Sequence, residues 1–200
     1  MSKVIVFGDS FSMDYNVDTT NWTGDYQKFK KNKIKTYPNY VSEYFGYDCE
    51  NFAHGGDDNY TIFEKFCNNV ESIEENDILI IGWGPITRFR VVDDKNQWMS
   101  INGKVNLISI SDDCLNEISV NRNHIFYEYE IRNWEKLIRY KLKNVFFYSW
   151  FWSKDELITK YESVETETNG LIKDGHWSEN GHREFSKTII EKIKTWKENL

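Results

Sequence analysis

Two hundred residues, 40% of them hydrophobic and 16% aromatic, suit one packed domain with a substantial core and argue against disorder. A formal net charge of −7 offers no general attraction to nucleic acid or to an anionic membrane. No stretch approaches the ~18 apolar residues of a membrane helix, and the first apolar run breaks at Gly8, too early for a signal peptide. The three cysteines, Cys49, Cys67 and Cys114, match no metal-ligand spacing. The expectation is a protein that is cytoplasmic or otherwise soluble, with reduced, mostly buried thiols and no metal or other cofactor.

Val4-Ile5-Val6-Phe7 is a continuous apolar run that ends in Gly8-Asp9-Ser10, which reads as a buried parallel strand closed by a sharp turn. Ligands of open α/β sheets gather at such strand ends, so Ser10 is a candidate nucleophile; Asp9 and Ser10 also serve as ordinary helix caps. Met13 to Lys35 is polar and aromatic without periodicity, and its one basic cluster, Lys28 to Lys33, reads as a solvated loop. Tyr37 to Phe45 reads as an amphipathic helix with Pro38 in its first turn, an apolar stripe of Tyr40, Val41, Tyr44 and Phe45, and a stop at Gly46. A short strand, Asp48 to Ala53, leads into the turn His54-Gly55-Gly56-Asp57-Asp58-Asn59 and a helical pattern at Ile62, Phe63, Phe66, Val70 and Ile73.

Ile78 to Ile81 is the clearest strand, ending in Gly82-Trp83-Gly84-Pro85. Arg88 and Arg90 follow it, suited either to a substrate group at the cleft, together with Trp83, or to pairing with Asp93 and Asp94. The stretch around 91–124 reads as an insertion carrying a hairpin near Asn102-Gly103. A long helix over Ile125 to Leu142, a fourth strand over Asn144 to Trp152 and a final helix from Ser178 complete the pattern. This alternation predicts α/β architecture: a three-layer α/β/α sandwich on a mainly parallel, flavodoxin-like sheet, in a single domain spanning 1–200.

Four stretches resemble, in order, the sequence blocks of the SGNH (GDSL-type) hydrolases. They are Gly8-Asp9-Ser10-Phe11-Ser12; Asn51 to Gly56, in which an asparagine precedes a glycine by five positions; the glycines after the third strand; and Asp174-Gly175-His176. The resemblance implies a Ser10–His176–Asp174 triad and an oxyanion hole built on the N–H groups of Ser10 and Gly56. It implies no cofactor. Two departures stand out. Gly84 occupies the position where the family commonly has asparagine, so the third donor falls to Asn59 or to the Gly84 N–H, although Asn59 also suits a helix cap. Only one residue separates Asp174 from His176, where two are usual. His182, one helical turn into the final helix, reads as structural.

A serine hydroxyl is a poor nucleophile until a base accepts its proton, and imidazole titrates in the range where it can do so and return the proton to a leaving alcohol. The reading is a serine esterase, with a small acyl group on a carbohydrate as the expected substrate. An acyltransferase using the same site, or an inactive carbohydrate-binding or structural domain, are the alternatives. A small-molecule or carbohydrate ester is the expected partner, with neither nucleic acid nor membrane, and the oligomeric state is open.

Overall fold

In the computed structural model, residues 2–14, 34–85, 88–92, 98–102, 124–151, 160–161 and 176–199 are described, with 89–92, 98–102, 124–126 and 151 described by backbone only. The strands are Lys3–Gly8 (β1), Asp48–Asn51 (β2), Ile78–Trp83 (β3), Arg88–Val92 (β4), Trp98–Asn102 (β5) and Phe146–Phe151 (β6). The helices are Tyr37–Phe45 (α1), Asn59–Asn69 (α2), His124–Lys141 (α3) and Glu179–Glu198 (α4). Strands β2, β1, β3 and β6 form, in that order, one parallel sheet.

The apolar runs explain the layering. Successive strand residues point to opposite faces, and in β1 both faces are buried. Val4 and Val6 pack with Tyr37 and Val41 of α1 and with Phe185, Ile189 and Ile193 of α4. Ile5 and Phe7 pack on the other side with Ile62 and Phe66 of α2 and with Ile131 and Ile138 of α3. Helices thus cover both faces of the sheet, the α/β/α arrangement that the strand–helix alternation predicts.

The chain runs from β1 outward to β2 on one side, then crosses to β3 on the other. The connections therefore diverge between β1 and β3, and the crevice at the carboxyl ends of these two strands is the place where such sheets bind ligands. Gly8 and Gly82 are paired at that edge. A Cβ added to either would come within 2.5 Å of Ser12 Oγ, so the missing side chains let Ser12 sit directly on the strand ends. There Ser12 Oγ accepts a hydrogen bond from the buried Tyr37 hydroxyl at 2.8 Å.

Several expectations are corrected. Asp58, not Asn59, caps α2, its carboxylate accepting from Thr61 N–H at 2.8 Å. The hairpin pairs β4 with β5, with Arg88 opposite Asn102 and Val92 opposite Trp98. Asn102 thus lies at the open end of the hairpin rather than at its turn; Gly103 lies outside the described residues. Tyr44 is exposed rather than part of the buried stripe of α1, whose inner face carries Tyr37 and Val41. Cys67 is also exposed and Cys49 half-buried; Cys114 and the Lys28–Lys33 cluster lie outside the described residues. Among the described residues no helix is long and apolar enough to cross a membrane.

Candidate active site

Immediately after β1 the backbone closes a tight turn. Ser12 and Met13 N–H groups donate to the Asp9 carbonyl at 3.0 and 3.1 Å, and Phe11 N–H donates to Asp9 Oδ1 at 3.1 Å. The turn presents Ser10 Oγ 2.7 Å from His176 Nε2, across 166 positions of sequence. With its ring proton on Nδ1, the imidazole accepts the serine hydroxyl through Nε2. The imidazole also stacks on the Phe11 ring, with centroids 4.4 Å apart and planes 28° from parallel. His176 is set by the start of α4: Trp177 beside it is fully buried, and Ser178 caps the helix by accepting from Gly181 N–H at 3.1 Å.

The loop after β2 flanks this pair. Asn51 ties it to the nucleophile turn, donating from Nδ2 to the Ser12 carbonyl at 2.8 Å while Oδ1 accepts from Ala53 N–H at 3.0 Å. Gly56 has φ +92°, a backbone conformation that a residue bearing a Cβ adopts only with strain. Its neighbour Gly55 lies closer to the serine, since a Cβ placed there would stand 3.8 Å from Ser10 Cβ.

The third-donor expectation changes. Asn59 and Gly84 are bonded to each other: Gly84 N–H donates to Asn59 Oδ1 at 2.7 Å, and Asn59 Nδ2 donates to the Gly84 carbonyl at 3.1 Å. The single Gly84 proton is therefore committed, and the Asn59 amide serves as a clamp on the backbone after β3. Trp83 is corrected as a substrate contact. It is completely buried among Phe7, Leu79 and Ile81, and its Nε1 donates to Glu135 Oε1 at 3.0 Å.

Asp93 and Asp94, the partners expected for Arg88, lie outside the described residues, and Arg88 has a partner in the nucleophile turn. Its Nη1 pairs with Asp9 Oδ2 at 3.1 Å, the carboxylate being fully buried and the arginine side chain 10% exposed. The same nitrogen donates to the Asp57 carbonyl at 2.7 Å. Burial pushes the Asp9 carboxyl above its ordinary range, with the Arg88 charge and the Phe11 N–H pulling it back. His182 is buried against Tyr37 and Trp177, and burial holds it down at about 3, so it stays neutral at neutral pH.

The structure thus brings Ser10 and His176 together, ties Arg88 to Asp9 and Asp57, the residues before Ser10 and after Gly56, and clamps Asn59 to Gly84; Asp174 lies outside the described residues. The Phe11–His176 stack and the Asp9–Arg88 pair have no short-range sequence signal beyond an aromatic after the serine and an arginine shortly after β3. No group of three or more His, Cys, Asp or Glu side chains among the described residues is arranged to hold a metal ion. Such a pairing of hydroxyl and imidazole at a strand end is equipped to deprotonate the serine for attack on an acyl carbon.

No family model matches the chain, and no curated protein matches it. Among solved structures, a carbohydrate esterase whose active site is described as displaying divergent catalytic and non-catalytic binding functions is similar over 97% of this chain, with 15% identity and a TM-score of 0.49; this chain spans 65% of that protein's length. A protein from Desulfitobacterium hafniense DCB-2, described as lipolytic and of the G-D-S-L family, is similar over 96% of this chain and 99% of its own, with 14% identity and a TM-score of 0.39.

Proposed function

We propose that the chain is a serine ester hydrolase of the SGNH type, acting on a small acyl group, such as acetyl, carried on a carbohydrate. The observation that carries this reading is the 2.7 Å approach of Ser10 Oγ to His176 Nε2, at the strand-end crevice where the parallel sheet places ligands. The sugar preference comes from the resemblance of the four sequence blocks. In the first step His176 Nε2 takes the hydroxyl proton as Ser10 Oγ bonds to the ester carbonyl carbon. The negative charge moves to the carbonyl oxygen, which the N–H groups of Ser10 and Gly56 receive. Collapse of this intermediate expels the alcohol, which collects the proton from His176, and leaves an acyl-serine. Water, deprotonated by the same imidazole, then releases the acid and restores the hydroxyl. Asp174 is assigned the remaining part of the triad, orienting the imidazole and balancing its transient charge.

Turnover of p-nitrophenyl acetate and release of acetate from acetylated sugars test the reading together. Ser10→Ala and His176→Ala should each lower kcat by on the order of 10⁴ while circular dichroism stays native. Wild-type turnover by either variant would contradict it. Free acetate as the product identifies a hydrolase, and acetate moved to a second sugar identifies a transferase.

A further inference from the structure

Arg88 stands where the three loops of the site meet. Its Nη1 bonds the carboxylate of Asp9, the residue before the serine, and the carbonyl of Asp57, the residue after Gly56. The third loop is bound into the same knot by Gly84, whose backbone is held at both polar atoms by Asn59. A Cβ added at Gly84 would come 3.2 Å from the Asp57 carbonyl and 3.5 Å from both Arg88 Nη1 and Asp9 Oδ2. The guanidinium and its two acceptors therefore crowd the space beside a residue that has no side chain. An arginine half-way along this junction is costly to bury unless paired, and its pairing here is with the two loops that carry the nucleophile and the oxyanion glycine.

We propose that Arg88 is a positioning residue: it braces the Ser10 turn against the Gly55-Gly56 turn and so fixes the serine relative to the N–H groups expected to receive the oxyanion. The role rests on the assignment of Ser10 as nucleophile. Both acceptors are reached from one nitrogen, Nη1, whose two N–H bonds are held at a fixed angle in the rigid guanidinium plane. A lysine ammonium in its place keeps a positive charge for Asp9 but carries it on a flexible stem with rotating donors, without those fixed directions. Since misplacement by about 1 Å costs on the order of 10²-fold in rate, loosening the brace should act on the chemical step and not on substrate affinity.

The test compares wild type, Arg88→Lys and Arg88→Ala by the rate of fluorophosphonate labelling of Ser10, by kcat and KM on p-nitrophenyl acetate, and by thermal midpoint. Arg88→Lys should fold, with labelling and kcat both lowered by roughly 10-fold or more and KM within about twofold. In Arg88→Ala, millimolar guanidinium should restore part of the labelling rate, and urea at the same concentration should not. Wild-type labelling and kcat in both variants would overturn the proposal. So would a loss that follows the thermal midpoint alone and is indifferent to guanidinium, because Arg88 would then be an ion pair of the fold only. A wild-type protein that carries no adduct on Ser10 would instead remove the nucleophile assignment, and the brace with it.

Discussion

Ser10, His176 and Phe11 make a compact unit in which each group constrains another: the hydroxyl faces Nε2, the imidazole lies on an aromatic ring, and that ring belongs to the residue after the serine. Rotation of the imidazole away from the hydroxyl would lose the stacking contact as well as the hydrogen bond. An aromatic face also favours a neighbouring cation, by about 0.5–1 kcal/mol at exposed sites and more where water is excluded, so the Phe11 ring would favour the imidazolium that the proposed proton transfer from Ser10 forms. Asn59 illustrates the opposite case, a polar side chain spent on backbone. Removing it in Asn59→Ala leaves the N–H and carbonyl of the buried Gly84 unsatisfied, which costs about 1–3 kcal/mol per group. Urea unfolding should show a loss of at least about 1 kcal/mol. Unchanged stability with kcat lowered by roughly 10²-fold would return Asn59 to the oxyanion hole.

At the scale of elements, the two central strands, β1 and β3, were legible because their residues face two helical layers at once. Burial on both faces makes a strand a continuous apolar run, as in Ile78 to Ile81, bounded by glycines and difficult to mistake for a helix. Tyr37 to Phe45 was equally clear, since Pro38 and Gly46 mark its ends chemically. The hairpin of β4 and β5 was displaced because Asn-Gly is a strong turn signal locally, whereas the observed register is set by pairing along the whole strand. The partners of Arg88 were illegible for a different reason. Asp93 and Asp94 are its sequence neighbours, but the parallel pairing of β1 with β3 brings Asp9, 79 positions away, to the same sheet edge. Trp83 was misassigned because a strand-end aromatic has the same sequence signature whether it turns to the cleft or inward to Glu135.

For the whole molecule, the buried histidine of α4 couples the fold to pH. His182 is held at about 3 in the native state, against about 6.5 when unfolded. Below about pH 6.5 the unfolded chain gains a proton that the native state refuses. The stabilisation is therefore complete above that value and is lost as pH falls towards about 3, by at most about 1.4 kcal/mol per pH unit. Asp9 works in the other direction: its raised carboxyl keeps a proton that the unfolded chain releases, so its share is present in acid and is lost as pH rises through its native value. The expected result is a difference in slope: from about pH 6 to pH 4 the urea-unfolding free energy of wild type falls more, or rises less, than that of His182→Phe, by up to one proton. The same slope in wild type and variant would contradict the assignment.

The central claim is that Ser10 is a nucleophile activated across the sheet edge by His176, and covalent labelling tests it most directly. The protein is treated with a fluorophosphonate ester, digested, and the modified residue located by mass spectrometry. The account predicts one adduct, on Ser10, formed by wild type, absent in Ser10→Ala and strongly slowed in His176→Ala. An adduct on another residue that persists in Ser10→Ala, or no adduct on the folded wild-type protein, would contradict it.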